Sequence, residues 1–140
     1  MSQTLAIIKP DAVQAGRAGE ILSHLEQAGF RVRALRMTRL DAGAAGEFYA
    51  VHRARPFYGS LVAFMTSGPA IPMVLEAPDA VKKLREVIGA TDPAETDPGT
   101  VRKLYAESKE RNAIHASDSD ENAAREIAFF FSERELIWNH

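Results

Sequence analysis

The apolar positions of this 140-residue chain fall into short runs of two kinds. "TLAIIKP" is a continuous apolar run stopped by Pro10, the mark of a buried strand. "AGEILSHLEQAG" sets Ile21, Leu22, Leu25 and Ala28 on one helical stripe, with Gly29 as its stop. "FRVRALRMTRL" alternates in part and predicts a second strand. "GAAGEFYAVH" and "YGSLVAFMTSG" predict two short helices around the turn "RARPF", and "AIPMVLEA" a third strand. Asp79 is placed to cap the helix "DAVKKLREVIG". The segment "GATDPAETDPGT" is a polar loop, and the 89–100 loop is long for so short a chain, a trait of functional loops. "NAIHA" is a short fourth strand, and "DENAAREIAFFF" a helix with its acidic residues in the first turn, where the helix dipole favours them.

The predicted order is β-α-β-α-α-β-α-loop-β-α. Two β-α-β units in one small chain predict an α+β fold, a ferredoxin-like α/β sandwich with helices covering a four-stranded antiparallel sheet. No repeat, linker or low-complexity segment divides residues 1–140, so a single domain is expected. With 46% hydrophobic residues the chain can build a core. Its net charge of −2 argues against a nucleic-acid partner and against an acidic membrane surface. The absence of cysteine excludes disulfides and thiolate chemistry and fits a reducing compartment. The start "MSQTLAIIKPD" lacks the marks of a signal peptide and no apolar run approaches a membrane span, so a soluble cytoplasmic protein is expected.

Three charges break their local pattern. Arg85, between Val81 and Ile88, sits on or beside the buried stripe of its helix. Glu126 lies on the apolar face that carries Ala123 and Phe130, and Lys9 ends the first strand, held extended by Pro10. Each has an ordinary reading: Arg85 and Lys9 snorkel to solvent, and Glu126 finds a basic partner. Together they ask for a polar pocket and an anionic ligand, because unpaired buried charge is costly. His115 ends the fourth strand, where a histidine is more often structural than catalytic. Its company is Ser117, Asp118 and Ser119, with Glu126 further on. A hydroxyl and a carboxylate near an imidazole can fix its tautomer, and a neutral imidazole accepts a phosphoryl group near pH 7. There is no GxSxG, no Walker A loop, no kinase glycine loop and no HExxH, and His24, His52, His115 and His140 show no zinc-ligand spacing.

"NAIHASDS" resembles the active-site segment N-x-x-H-G-S-D-S of the nucleoside diphosphate kinases. "AIIKPDAV" resembles that family's first strand and Lys-Pro-Asp motif, "RPFYGSLVAFMTSGP" its nucleotide-entrance helices, and "IGATDPAETDPGTVR" the loop that closes over the phosphates. The four likenesses occur in the family's order and run over nearly the whole chain.

The resemblance implies a ping-pong reaction. A nucleoside triphosphate, typically ATP, gives its γ-phosphoryl group to histidine Nδ1, and the phosphohistidine passes it to a nucleoside diphosphate. Carried over residue by residue, it implies His115 as nucleophile, oriented by Ser117 and Glu126, with Lys9 and Tyr49 near the transferred group. Arg85, Thr91 and Arg102 would hold the phosphates and Asn112 the ribose. Phe57 would stack on the base beside Leu61, with Lys109 at a position apolar in many members. Mg2+ would arrive with the nucleotide and bridge its phosphates, with no direct protein ligand. A homo-oligomer, tetramer or hexamer, is implied as well, and stacking on a base face predicts broad nucleoside specificity. The departure is Ala116, where the family has glycine. A positive φ there would cost roughly 1 kcal/mol or more. With a negative φ the methyl group would only crowd the pocket floor. Two other classes remain: a nucleotide-binding module that has lost catalysis, and an interaction domain independent of it.

Overall fold

The structure is a computed structural model and describes residues 1–136. The end of the "SERELIWNH" tail, with His140, lies outside the described residues. Strand β1 (Ser2–Ile8) pairs antiparallel with β3 (Ile71–Ala77), Leu5 opposite Val74. Strand β4 (Ile114–Ala116) lies on the other side of β1, and β2 (Arg31–Leu35) on the other side of β3. The sheet order is therefore β2-β3-β1-β4, every pair antiparallel, as expected of the ferredoxin-like sandwich.

The unbroken apolar runs of β1 and β3 follow from burial on both faces. Ala6, Ile8, Met73 and Leu75 meet helices α2 (Ala18–Gln27) and α5 (Ala80–Ile88) through Ile21, Leu25, Leu84 and Ile88. Leu5, Ile7 and Val74 meet α3 (Ala42–Phe48), α4 (Tyr58–Met65) and α7 (Asp120–Phe130) through Phe48, Met65 and Ile127. A strand with a layer on each side needs no polar positions. In β4 the same alternation sends Ile114 and Ala116 into the first layer and leaves His115, opposite Ile7, on the side of Phe48.

Two short helices escape the periodicity reading. α1 (Pro10–Gln14) starts with proline at its first turn, where the fixed φ suits a helix and no N–H is needed. α6 (Val101–Tyr105) closes the 89–100 loop and is capped by Thr100, which accepts from the Lys103 N–H. Both are single turns, too short to show a stripe. Asp79 does not cap α5. Its backbone is left-handed (φ 49), unlike the extended geometry of a cap, and the Ser2 hydroxyl accepts the Ala80 N–H across the fold instead. Arg85 lies beside the α5 stripe rather than on it: Val81, Leu84 and Ile88 are buried while Arg85 is exposed. At Gly89 (φ 90) a Cβ would run into the Thr96 and Thr100 side chains, so the loop requires glycine there. Among the described residues no helix is long and apolar enough to cross a membrane.

Among the described residues, those other than glycine with a positive φ are Asp79 and Ala113. Ala116 is an ordinary strand residue of β4, so its methyl group carries no backbone penalty. Two expectations follow. Ala116→Gly relieves no strain and lowers stability by about 0.5–1 kcal/mol, read from urea unfolding. Leu84→Ala empties a site at 0% exposure. It costs about 2–5 kcal/mol in the same measurement.

Candidate functional site

β4 delivers His115 to a cleft of about 660 Å3 walled by the turn at 48–52, the start of α4, α5, the 109–112 segment and the first turns of α7. Nine of the eleven residues singled out above line it: Lys9, Tyr49, Phe57, Leu61, Arg85, Thr91, Asn112, His115 and Glu126, and Lys109 lines it too. Ser117 and Arg102 stand behind the wall.

His115 Nε2 lies 2.8 Å from Glu126 Oε1, and the Ser117 hydroxyl donates to the same oxygen at 2.8 Å. Ser117 thus acts on the carboxylate and not on the ring. Arg125 approaches the other carboxylate oxygen at 3.7 Å. A carboxylate only accepts, so Nε2 carries the proton and Nδ1 keeps its lone pair. Nδ1 has no hydrogen-bond partner among the described residues and is not a sealed, buried atom. Burial holds the imidazole below its ordinary pKa, and Lys9 and Arg102 push the same way against the opposing pull of Glu126. His115 is therefore neutral at pH 7. Burial also pushes Glu126 up, but His115, Ser117 and Arg125 together bring it below its usual range, so it stays ionised. The rings of Phe48 and Tyr49 meet the imidazole edgewise at 5.4 and 6.0 Å. A ring wedged between two aromatics and held by one hydrogen bond cannot swing.

Lys9 is buried and donates from Nζ to the Asn112 side-chain oxygen at 2.8 Å. An amide leaves the ammonium charge unneutralised. Burial lowers its pKa to about 8, with repulsion from Arg102 adding and Asp11 and Glu110 opposing. The Tyr49 hydroxyl is buried without a partner among the described residues, and burial raises its pKa strongly, so it remains an unspent O–H donor. Arg102 bridges the loop to the strand: its terminal nitrogens donate to the Gly89 carbonyl at 3.1 Å and the Ile114 carbonyl at 2.8 Å. Burial and Arg85 lower its pKa to about 10, which leaves it charged at neutral pH. At the mouth, Phe57 is 48% exposed. The ring of His52 stands 6.4 Å from Tyr49 and 5.3 Å from Phe57, so an aromatic wall runs from His115 outward.

Sequence reasoning passed over Phe48, His52, Asn122 and Arg125 in this lining. The signal for His52 was its place between Tyr49 and Phe57; Phe48 and Arg125 read as an ordinary core and an ordinary surface residue. It also missed the backbone below the cleft. Ala113 has φ 75, and the Ile114 N–H bonds to the Asn112 carbonyl at 2.9 Å, a γ-turn of the rarer positive-φ kind. For an alanine that costs about 1–2 kcal/mol.

Comparison with known proteins agrees with this arrangement. A family model described as nucleoside diphosphate kinase matches residues 2–136. The nucleoside diphosphate kinase of Chlorobium limicola is 58% identical over 137 residues, covering 98% of each chain, and that of Chlorobium chlorochromatii is 60% identical over the same share. Among solved structures, the Aquifex aeolicus nucleoside diphosphate kinase superposes with a TM-score of 0.95 at 49% identity, covering 97% of this chain and 99% of that one. A halophilic nucleoside diphosphate kinase from Halobacterium salinarum, solved in complex with CDP, gives 0.94 at 40% identity, covering 99% of this chain and 93% of that one. With the four motifs in order, the sheet topology and the histidine cleft already in hand, these likenesses establish that the chain belongs to the nucleoside diphosphate kinase family.

Proposed function

We propose that residues 1–140 form a single catalytic domain that transfers the γ-phosphoryl group of a nucleoside triphosphate to nucleoside diphosphates by way of His115. The observation that carries this reading is the 2.8 Å bond from Nε2 to Glu126, which leaves an Nδ1 lone pair in a cleft lined by Lys9 and Arg85. In the first half-reaction Nδ1 forms a bond to the γ-phosphorus while the bond from that phosphorus to the β,γ-bridging oxygen breaks, and the nucleoside diphosphate leaves. In the second, an incoming diphosphate oxygen attacks the phosphohistidine and Nδ1 takes its electron pair back. Phosphorylation makes the ring cationic, and Glu126, itself fixed by Ser117, stabilises that charge through Nε2–H.

Lys9 and Tyr49 would meet the transferred group with an ammonium and a hydroxyl donor. Arg85 and Thr91 would hold the remaining phosphates, and Asn112 the ribose. Phe57 would stack on the base beside Leu61 and, at the cleft mouth, Lys109; a face-to-face contact reads little of base identity. Arg102 would serve the phosphates from behind, tying the loop to β4. Phosphoryl transfer depends on such positioning and charge neutralisation more than on covalent work by the protein. Mg2+ would be brought in on the nucleotide and held by phosphate oxygens, with no direct protein ligand; Asp118, which lines the same cleft, adds a negative charge to its surroundings. When bound, the ion would supply positive charge against the nucleotide phosphates. Self-association into a tetramer or hexamer is supported by the edge strand β2, where Leu35 and the following Met37 are 45% and 57% exposed. A reducing, cytoplasmic setting is supported by the absence of cysteine.

Incubation with γ-labelled ATP is expected to place an acid-labile, alkali-stable label on the protein. A His115→Ala chain that takes up the same label, or exchanges at the normal rate, would overturn the assignment. A second expectation concerns pH. The kcat/KM for the triphosphate reports the free protein. Its acidic limb should lie below the ordinary imidazole range, because His115 must be neutral. Its alkaline limb should lie near pH 8, where Lys9 loses its proton. Lys9→Gln should abolish the alkaline limb along with most activity. Glu126→Gln should move the acidic limb to still lower pH, since it removes the charge that raises the pKa of His115.

A further inference from the structure

We propose that Asp11 is a positioning residue for phosphoryl transfer: its carboxylate holds the strained turn at Ala113 and so sets where Asn112 and His115 present their side chains. The proposal rests on the reading of His115 as the phosphoryl carrier. Asp11 is 4% exposed and touches no residue that needs it as a salt-bridge partner among the described residues. Its Oδ2 accepts the Ala113 N–H at 3.1 Å, and the Lys9 N–H donates to the Ala113 carbonyl at 2.9 Å. The Lys9 ammonium, from the same three-residue segment, reaches the neighbouring Asn112 side chain. The Lys9–Pro10–Asp11 segment therefore grips both main-chain polar atoms of the one residue in this part of the chain with a positive φ.

Alanine has no side-chain group to stabilise such a turn, so the conformation persists only if outside partners over-determine it. Without the turn, the chain from Asn112 would enter β4 along another path. Asn112 and His115, three residues apart, both line the cleft, and the turn at Ala113 sets the direction of the chain between them. The other Asp11 oxygen, Oδ1, is buried and without a hydrogen-bond partner among the described residues. The acid thus spends one oxygen on the turn; burial pushes its pKa above the ordinary carboxylate value, and the nearby charge of Lys9 opposes that shift. The charged groups around Lys9 are Asp11 and Glu110, which favour its protonated form, and Arg102, which opposes it. Those around Asp11 are Lys9 and Arg111.

The test is steady-state exchange by the full chain with ATP and a nucleoside diphosphate, across pH, for wild type, Asp11→Asn, Asp11→Ala and Asp11→Ala with Ala113→Gly. Asp11→Ala is expected to lower kcat by roughly ten- to a hundredfold, as misplacement of reacting groups does, with a smaller rise in KM as Asn112 shifts too. Asp11→Asn retains an oxygen for the Ala113 N–H and keeps most of kcat, while its alkaline limb moves to lower pH as Lys9 loses an anionic neighbour. Ala113→Gly restores much of the rate lost in Asp11→Ala, because glycine adopts the positive φ without being held. A folded Asp11→Ala with wild-type kcat, a loss confined to KM, or an Asp11→Asn as impaired as Asp11→Ala overturns the proposal, as does failure of the glycine rescue. Should Asp11→Ala not fold, Asp11→Asn decides: kept kcat with a lowered alkaline limb supports the proposal, and an unmoved limb overturns it. Wild-type labelling at His115 separates the two readings. Its absence sinks both, whereas normal labelling beside an indifferent Asp11→Ala sinks only this one.

Discussion

The hydrogen bond between His115 Nε2 and Glu126 Oε1 is the constraint on which the rest depends. It joins a strand to a helix, so it exists only where α7 packs across β1 and β4. A buried carboxylate is costly unless it is hydrogen-bonded and its charge compensated, and here the imidazole and the Ser117 hydroxyl bond to it while the Arg125 guanidinium, 3.7 Å off, adds positive charge. In return the carboxylate decides the tautomer of the ring. Burial among Phe48 and Tyr49 keeps that ring neutral and still. The same contact serves both states of the proposed cycle, since a carboxylate that accepts from a neutral imidazole binds a cationic one better.

Across the cleft the charges are arranged in the opposite way. Lys9 is buried against an amide and Tyr49 has no partner among the described residues, so positive charge and a hydroxyl donor are left unspent. Proteins leave such groups unpaired where a ligand supplies what is missing. Burial, helped by Arg102, depresses the pKa of Lys9 while its charge stands without a counter-ion among the described residues. Arg102 follows another logic. Its two bonds to main-chain carbonyls hold Gly89 and Ile114 together, which fixes the 89–100 loop against the strand that carries the histidine.

Much of this was legible in the chain. β1 and β3 stood out because burial on both faces leaves a run with no polar interruption. Glu126 and Lys9 stood out because each broke an apolar pattern, and both are buried. Arg85 broke its pattern for a different reason: it lies one position off the stripe, at the cleft wall, and is exposed. What could not be read belongs to contacts between distant segments. Ser2 caps a helix that begins 78 residues later. Asp11 holds Ala113, 102 residues away. No period of 2 or 3.6 residues encodes such pairings.

The amino-acid sequence by itself determined the strand and helix content, the order of the motifs and the residue types of the cleft. Local patterning carries these because each is a matter of which face of a segment meets water. It could not say whether Ala116 strained the backbone, since φ is set by the strand pairing of β4 with β1. Nor could it say that Ser117 serves the carboxylate rather than the ring, or that the strain lies three residues earlier at Ala113. Those are outcomes of packing. Only when α7, β4 and the Lys9–Asp11 segment are brought together does each hydrogen bond acquire a partner, and with it a direction.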